Sequence, residues 1–206
     1  MKLIGMLDSP YVRRVAISMQ LLNIEFEHQS LSVFRDFDEF QRISPTVKAP
    51  TLVCNNGRLL TDSNLILSYL EAIAGNSRTL MPQGISEYQL ALHIVGLALT
   101  ACEKSVQIVY EQQLRPDDKQ HQPWIDRVQG QLLHCYQLLE QELSKSNLAK
   151  RSDDIRQTGI TVACAWYFTQ HMIPGVIDPE QFPLLSRYSA TVEQLPEFQA
   201  ASYHKV

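Results

Sequence analysis

Near residues 76–84 the sequence changes rhythm, and that change restricts the fold more than any other feature. Before it, strand-length and helix-length apolar segments alternate, separated by turn residues. After it, apolar residues recur only at helical spacing. Such a chain builds an α+β layer and then a bundle of helices. The expected division is residues 1–78 as an α+β domain and residues 84–206 as an all-helical domain.

Within the first part, Lys2 to Leu7 is a compact apolar run suited to a buried strand. Asp8-Ser9-Pro10 supplies a polar turn, with Ser9 as helix cap and Pro10 at a favoured first helical position. Val12, Val15, Ala16, Met19 and Leu22 then keep helical spacing. Glu25 to Leu31 alternates as a strand, and Asp36 to Ile43 reads as a short helix. Thr51–Cys54 and Arg58–Leu60 form a hairpin around Asn55-Asn56-Gly57, where both residues of the Asn-Gly pair tolerate positive φ. Asp62-Ser63 opens a helix whose apolar side holds Leu65, Ile66, Tyr69, Leu70 and Ile73, closed by Gly75. The order is β-α-β-α-β-β-α.

From Ile85 onward the periodicity predicts helices over 87–114, 124–143, 158–172 and 183–195, bounded by Pro116, Pro174 and Pro196. Apolar stretches are interrupted before the roughly 20 residues a bilayer requires, and Lys2–Leu7 is too short for a signal peptide. No membrane association is expected and the cytosol is the expected compartment. A net charge of −4 gives no global reason to bind nucleic acid. Cys54, Cys102, Cys135 and Cys164 form no Cys-x-x-Cys pair, so reduced, buried thiols are expected. The six histidines (28, 93, 121, 134, 171 and 204) make no ligand pair, and no metal site is expected.

Three segments carry chemistry. Asp8-Ser9-Pro10-Tyr11-Val12-Arg13-Arg14 puts a hydroxyl where a strand feeds a helix N-terminus, a favourable point for an anion. Lys48-Ala49-Pro50-Thr51-Leu52 puts a proline just before a strand. A cis bond there would turn the backbone of Ala49 outward, free for a ligand. Asp62-Ser63 offers a second helix start with a carboxylate and a hydroxyl. Each hydroxyl also has an ordinary use as a helix cap, worth about 1 kcal/mol. For Ser9 the cap and a ligand compete for one oxygen. On an amphipathic helix, one of Arg13 and Arg14 is expected to face solvent only.

Taken in order and spacing, these segments resemble the cytosolic glutathione transferase family, over essentially all 206 residues. That family joins a thioredoxin-like domain to an all-helical one. Ser9-Pro10-Tyr11-Val12-Arg13-Arg14 looks like its serine-type turn, nearest to the tau-like and related bacterial branches. The resemblance implies that Ser9 is the catalytic residue, stabilising the thiolate of the co-substrate glutathione. It implies that Lys48, Ala49, Pro50, Asp62 and Ser63 bind glutathione, with Lys48 on the glycyl carboxylate and Asp62-Ser63 on the γ-glutamyl end. A free thiol of pKa about 8.5 is only about 3% thiolate at pH 7, and lowering it two units takes about 2.7 kcal/mol.

The implied activity is conjugation of glutathione to a small hydrophobic electrophile, a detoxification chemistry, in a homodimer. The alternatives are a glutathione-dependent peroxidase or disulfide reductase, and a non-catalytic regulatory or interaction protein of the same fold. Serine in place of cysteine at the turn argues against disulfide exchange. Asp62 is one methylene shorter than the family's usual Glu. The family's capping box after the two long helices is incomplete: Thr158 is the expected cap, but Thr161 lacks the carboxylate. Tyr110, Trp124, Trp166, Tyr167 and Phe168 lie in the half that lines the family's electrophile pocket, although helical spacing makes core the ordinary reading, and the pocket residues are left unassigned.

Overall fold

Leu3, Ile4 and Leu52 are fully shielded from solvent, and the strands that carry them take partners on both sides. The computed structural model describes residues 1–75, 78–146 and 148–203; Asn76 and Ser77 of the expected boundary loop, and His204, lie outside them. Strands β1 (Lys2–Ile4), β2 (Glu27–Gln29), β3 (Thr51–Val53) and β4 (Leu59–Thr61) form one sheet in the order β2-β1-β3-β4. β1 runs parallel to β2 and antiparallel to β3, which pairs antiparallel with β4. Helices α1 (Pro10–Leu21), α2 (Phe37–Ile43) and α3 (Ser63–Ala74) connect or follow the strands in the expected order.

Side-chain alternation gives the sheet two apolar faces. Ile4 packs with Leu31 and with Phe40 of α2, ringed by Val33, Ile43, Val47 and Val53. α1 and α3 pack on each other, α1 also against β1 and α3 against β4. The hairpin turn differs from expectation in one respect. Gly57 donates to the Cys54 carbonyl (2.9 Å) and has φ 79°, while Asn56 keeps a negative φ. Cys54 then pairs with Arg58 across a three-residue loop, a geometry that needs one left-handed residue only.

On α3 the sequence groups five apolar residues on one side, but the helix splits them. Ile66 and Leu70 are buried with Leu67, whereas Leu65, Tyr69 and Ile73 stand in solvent at 65%, 38% and 46% exposure. Spacing of four residues makes those three a second stripe.

The chain divides into two compact units: Met1–Leu80 together with the segment from Gln194, and Met81–Glu193. The second contains α4 (Ile85–Val109), extended by a π-helical turn at Tyr110–Leu114, then α5 (Gln122–Lys145), α6 (Gln157–Met172) and α7 (Pro183–Val192). Tyr136 sits at its centre, fully buried, its hydroxyl donating to the Ala165 carbonyl (3.0 Å) and meeting Thr169 Oγ1 at 2.6 Å. Trp166 and Phe168 are core, while Tyr110 and Trp124 are 45% and 41% exposed. All four cysteines are free and buried.

Three expectations change in the helical part. The helix spanning Ile85–Leu114 is long and apolar enough by length and composition to cross a membrane, and 44% of its most apolar stretch is buried within the protein. Its polar residues are too few to interrupt it as expected, and it packs against α5 and α6. At α6 the cap position is Arg156 and not Thr158, and no side chain caps it. The third helical residue is Gly159, where a Cβ would fall on the Tyr188 hydroxyl that bonds the Ala149 carbonyl. Finally, α7 stops at Val192, and a short α8 (Pro196–Ala200) follows. α8 packs on α1, where the Arg13 guanidinium donates to the carbonyls of Ala201 (3.0 Å) and Phe198 (3.5 Å).

Candidate functional site

Strand register gathers the three chemical segments. Ile4, Thr51 and Thr61 form one row across β1, β3 and β4. One residue beyond that row β1 leaves through Gly5 toward Ser9, β3 is entered from Pro50, and β4 leaves through Asp62. All three segments therefore lie at the same end of the sheet. Gly5, at φ 135°, lets them meet closely: a Cβ there would stand 2.6 Å from Val12 Cγ2 and 3.1 Å from Ala49 Cβ.

Ser9 caps α1 in extended backbone geometry, its Oγ accepting the Val12 N–H at 3.4 Å. This long bond uses a lone pair. The hydroxyl hydrogen is not consumed by capping, so the cap and a thiolate-directed donor are compatible on one oxygen. Beside it, burial pushes the Asp8 carboxyl up from its ordinary pKa, opposed by a hydrogen bond from the Ser9 backbone and by the charge of Arg35.

The Ala49–Pro50 peptide bond is cis. Pro50 is buried, Ala49 half-buried, and Thr51 Oγ1 donates to the Lys48 carbonyl at 2.7 Å. Two residues other than glycine near this end of the sheet hold positive φ, Val47 at 45° and Asp62 at 70°. Such conformations cost of order 1–3 kcal/mol each and persist where surroundings enforce them.

Asp62 is the cap of α3 and Ser63 its first residue, the reverse of the capping role open to Ser63 in the sequence. Asp62 Oδ1 accepts the Asn64 N–H at 2.9 Å, and Oδ2 lies 3.7 Å from Lys48 Nζ. The two side chains expected at opposite ends of a ligand thus face each other. Both are partly solvated, so the attraction is weak.

Arg13 and Arg14 are both 2% exposed, which overturns the expectation that one faces only solvent. Arg14 Nη1 donates to Ser63 Oγ at 3.2 Å and to Asn64 Oδ1 at 2.8 Å, tying the helix after Ser9 to the start of α3. No local pattern announces this link, since its acceptors lie 49 and 50 residues away. Among the described residues no cluster of His, Cys, Asp and Glu could hold a metal ion.

A four-stranded mixed sheet with this helix order is a thioredoxin-like domain, here followed by a mostly helical part. Residues 3–78 match the family described as glutathione S-transferase, N-terminal domain. The chain is 29% identical over 91 residues to glutathione S-transferase U4 of Arabidopsis thaliana, a match covering 44% of this chain and 40% of that protein. It is 27% identical to the uncharacterized GST-like protein YibF of Escherichia coli over 165 residues, 80% of each chain. A glutathione transferase family member from Pseudomonas fluorescens, solved with bound S-(propanoic acid)-glutathione, superposes with TM-score 0.81 and 25% identity over 97% of both chains. Residues 3–78 are thus similar to the N-terminal domain of glutathione S-transferases, and the chain as a whole is similar in fold to a solved member of that family.

Proposed function

We propose that this protein is a serine-type glutathione transferase joining the glutathione thiolate to a small hydrophobic electrophile. The observation that carries the reading is the convergence of Ser9, Ala49–Pro50 and Asp62-Ser63 at one end of the sheet, with the Ser9 hydrogen unused by its cap. The bound S-substituted glutathione of the Pseudomonas fluorescens relative supports the same ligand class.

In this mechanism Ser9 donates a hydrogen bond to the glutathione sulfur, and the N-terminal end of α1 adds its positive partial charge. The thiol proton leaves to solvent. The thiolate then forms the carbon–sulfur bond as the electrophile's leaving group departs or its π electrons shift. Ala49 offers main chain to the cysteinyl part, Lys48 the charge for the glycyl carboxylate, and Asp62 with Ser63 the γ-glutamyl partners. Lys48 and Asp62 exchange their mutual contact for the two ends of the peptide. A homodimer in the cytosol, with the helical part of the chain lining the electrophile site, completes the reading. The exposed α3 stripe supports self-association.

The test begins with binding. Glutathione at ten times its Kd should stabilise the fold by roughly 1.4 kcal/mol, visible as a thermal shift. Ultraviolet difference spectra of the complex should report a thiol pKa well below about 8.5. Ser9→Ala should return that pKa toward the free value and cut kcat/KM about ten- to hundredfold, the worth of a hydrogen bond to a charged group. An absent thermal shift rejects the ligand; an unchanged thiol pKa in the variant rejects the role of Ser9.

A further inference from the structure

We infer that Arg14 is a positioning residue for the γ-glutamyl carboxylate of glutathione, acting through Ser63; this rests on the function proposed above. The side chain is buried to 2% exposure and reaches from α1 to the first turn of α3. There one nitrogen, Nη1, holds two side chains of consecutive residues, Ser63 Oγ at 3.2 Å and Asn64 Oδ1 at 2.8 Å.

The direction of the first bond is what matters. A serine hydroxyl has one hydrogen and two lone pairs. With Arg14 donating into a lone pair, the Ser63 hydrogen must point away from the guanidinium. Ser63 is thereby set as a donor, the polarity a carboxylate requires. Charge assistance from the guanidinium strengthens the outgoing bond in turn. The second bond fixes the frame. Asn64 is held at its amide by Asp62 Oδ1 and at its side chain by Arg14, so the strained cap at Asp62 and the first turn of α3 share one anchor. A serine free of that anchor would rotate its hydroxyl among three staggered wells and could equally accept.

The prediction is selective. Removing Arg14 should weaken binding of the carboxylate that Ser63 serves while leaving the cysteinyl and glycyl contacts alone. The test compares glutathione with its 4-aminobutyryl analogue, which lacks only the γ-glutamyl α-carboxylate, by titration calorimetry. Arg14→Met should weaken glutathione about tenfold, the worth of one hydrogen bond to a charged group, and leave the analogue's Kd unchanged. The thiol pKa of saturated Arg14→Met complex should equal that of the parent. Arg14→Lys, able to reach one acceptor but not to hold both, should fall between the two.

Equal loss for both peptides, or a raised thiol pKa at saturation, would assign Arg14 a general structural role and overturn the inference. So would unchanged glutathione affinity. If Arg14→Met does not fold by circular dichroism, Arg14→Lys carries the same comparison with the same outcomes. A parent protein that binds neither peptide rejects the proposed function itself, a result separate from any pattern among the variants.

Discussion

At residue scale, Asp62 and Asp8 show how one carboxylate can serve and strain a fold. Asp62 caps α3 from a backbone at φ 70°, ψ 125°, a region glycine enters without a Cβ penalty. Asp62→Gly should therefore be less destabilising than Asp62→Ala by about 1 kcal/mol in urea unfolding, although both delete the cap. Both should weaken glutathione binding alike, since both delete the carboxylate. Asp8 makes a pH-dependent prediction. Its folded-state pKa is raised above the unfolded value, with burial the leading cause. Stability from such a group is fully present below the unfolded pKa and is lost as pH rises through the folded one. Asp8→Asn should raise Tm at pH 7 and leave it unchanged near pH 3. A Tm gain equal at both pH values would refute burial as the cause.

At element scale, the start of α6 replaces a cap with a contact. Gly159 leaves the space that the Tyr188 hydroxyl occupies, and that hydroxyl is fixed on Ala149. Gly159→Ala should cost about 1–3 kcal/mol through overpacking, and Tyr188→Phe in the same chain should recover part of it. Simple additivity of the two substitutions in denaturant melts would contradict this account. Strand and helix order follow from local patterns of period two and 3.6, and the Ser9 cap from a hydroxyl just before Pro10 at a helix start, so they are legible in the sequence. The meeting of the three chemical segments rests on strand register instead. Burial of Arg13 and Arg14 is not legible, because their acceptors sit 188 and 49 residues away and no spacing rule connects them. The two faces of α3 were hidden for a related reason: an apolar residue reads the same whether it meets this chain's core or stands in solvent. Thr158 misled because capping depends on where the first turn begins, and that boundary shifts by a residue or two.

At the scale of the whole molecule, Leu65, Tyr69 and Ile73 leave an apolar stripe on the first unit, and Ile85, Tyr88 and Leu92 are exposed on the second. If α3 joins two copies, light scattering should give twice 23.5 kDa, and Leu65→Glu should halve that mass while the circular dichroism spectrum stays the same. A parent mass of one chain would exclude the dimer. The other long-range feature is the return of α8 to the first unit. Arg13 is made early on the ribosome, yet the carbonyl it grips at Ala201 is added 188 residues later. At roughly 5–20 residues per second, α1 waits on the order of ten seconds or more for that partner. The N-terminal unit is thus finished only after the helices of the second have been translated, and a fragment ending at Leu80 would begin life with a buried guanidinium missing the carbonyls that hold it.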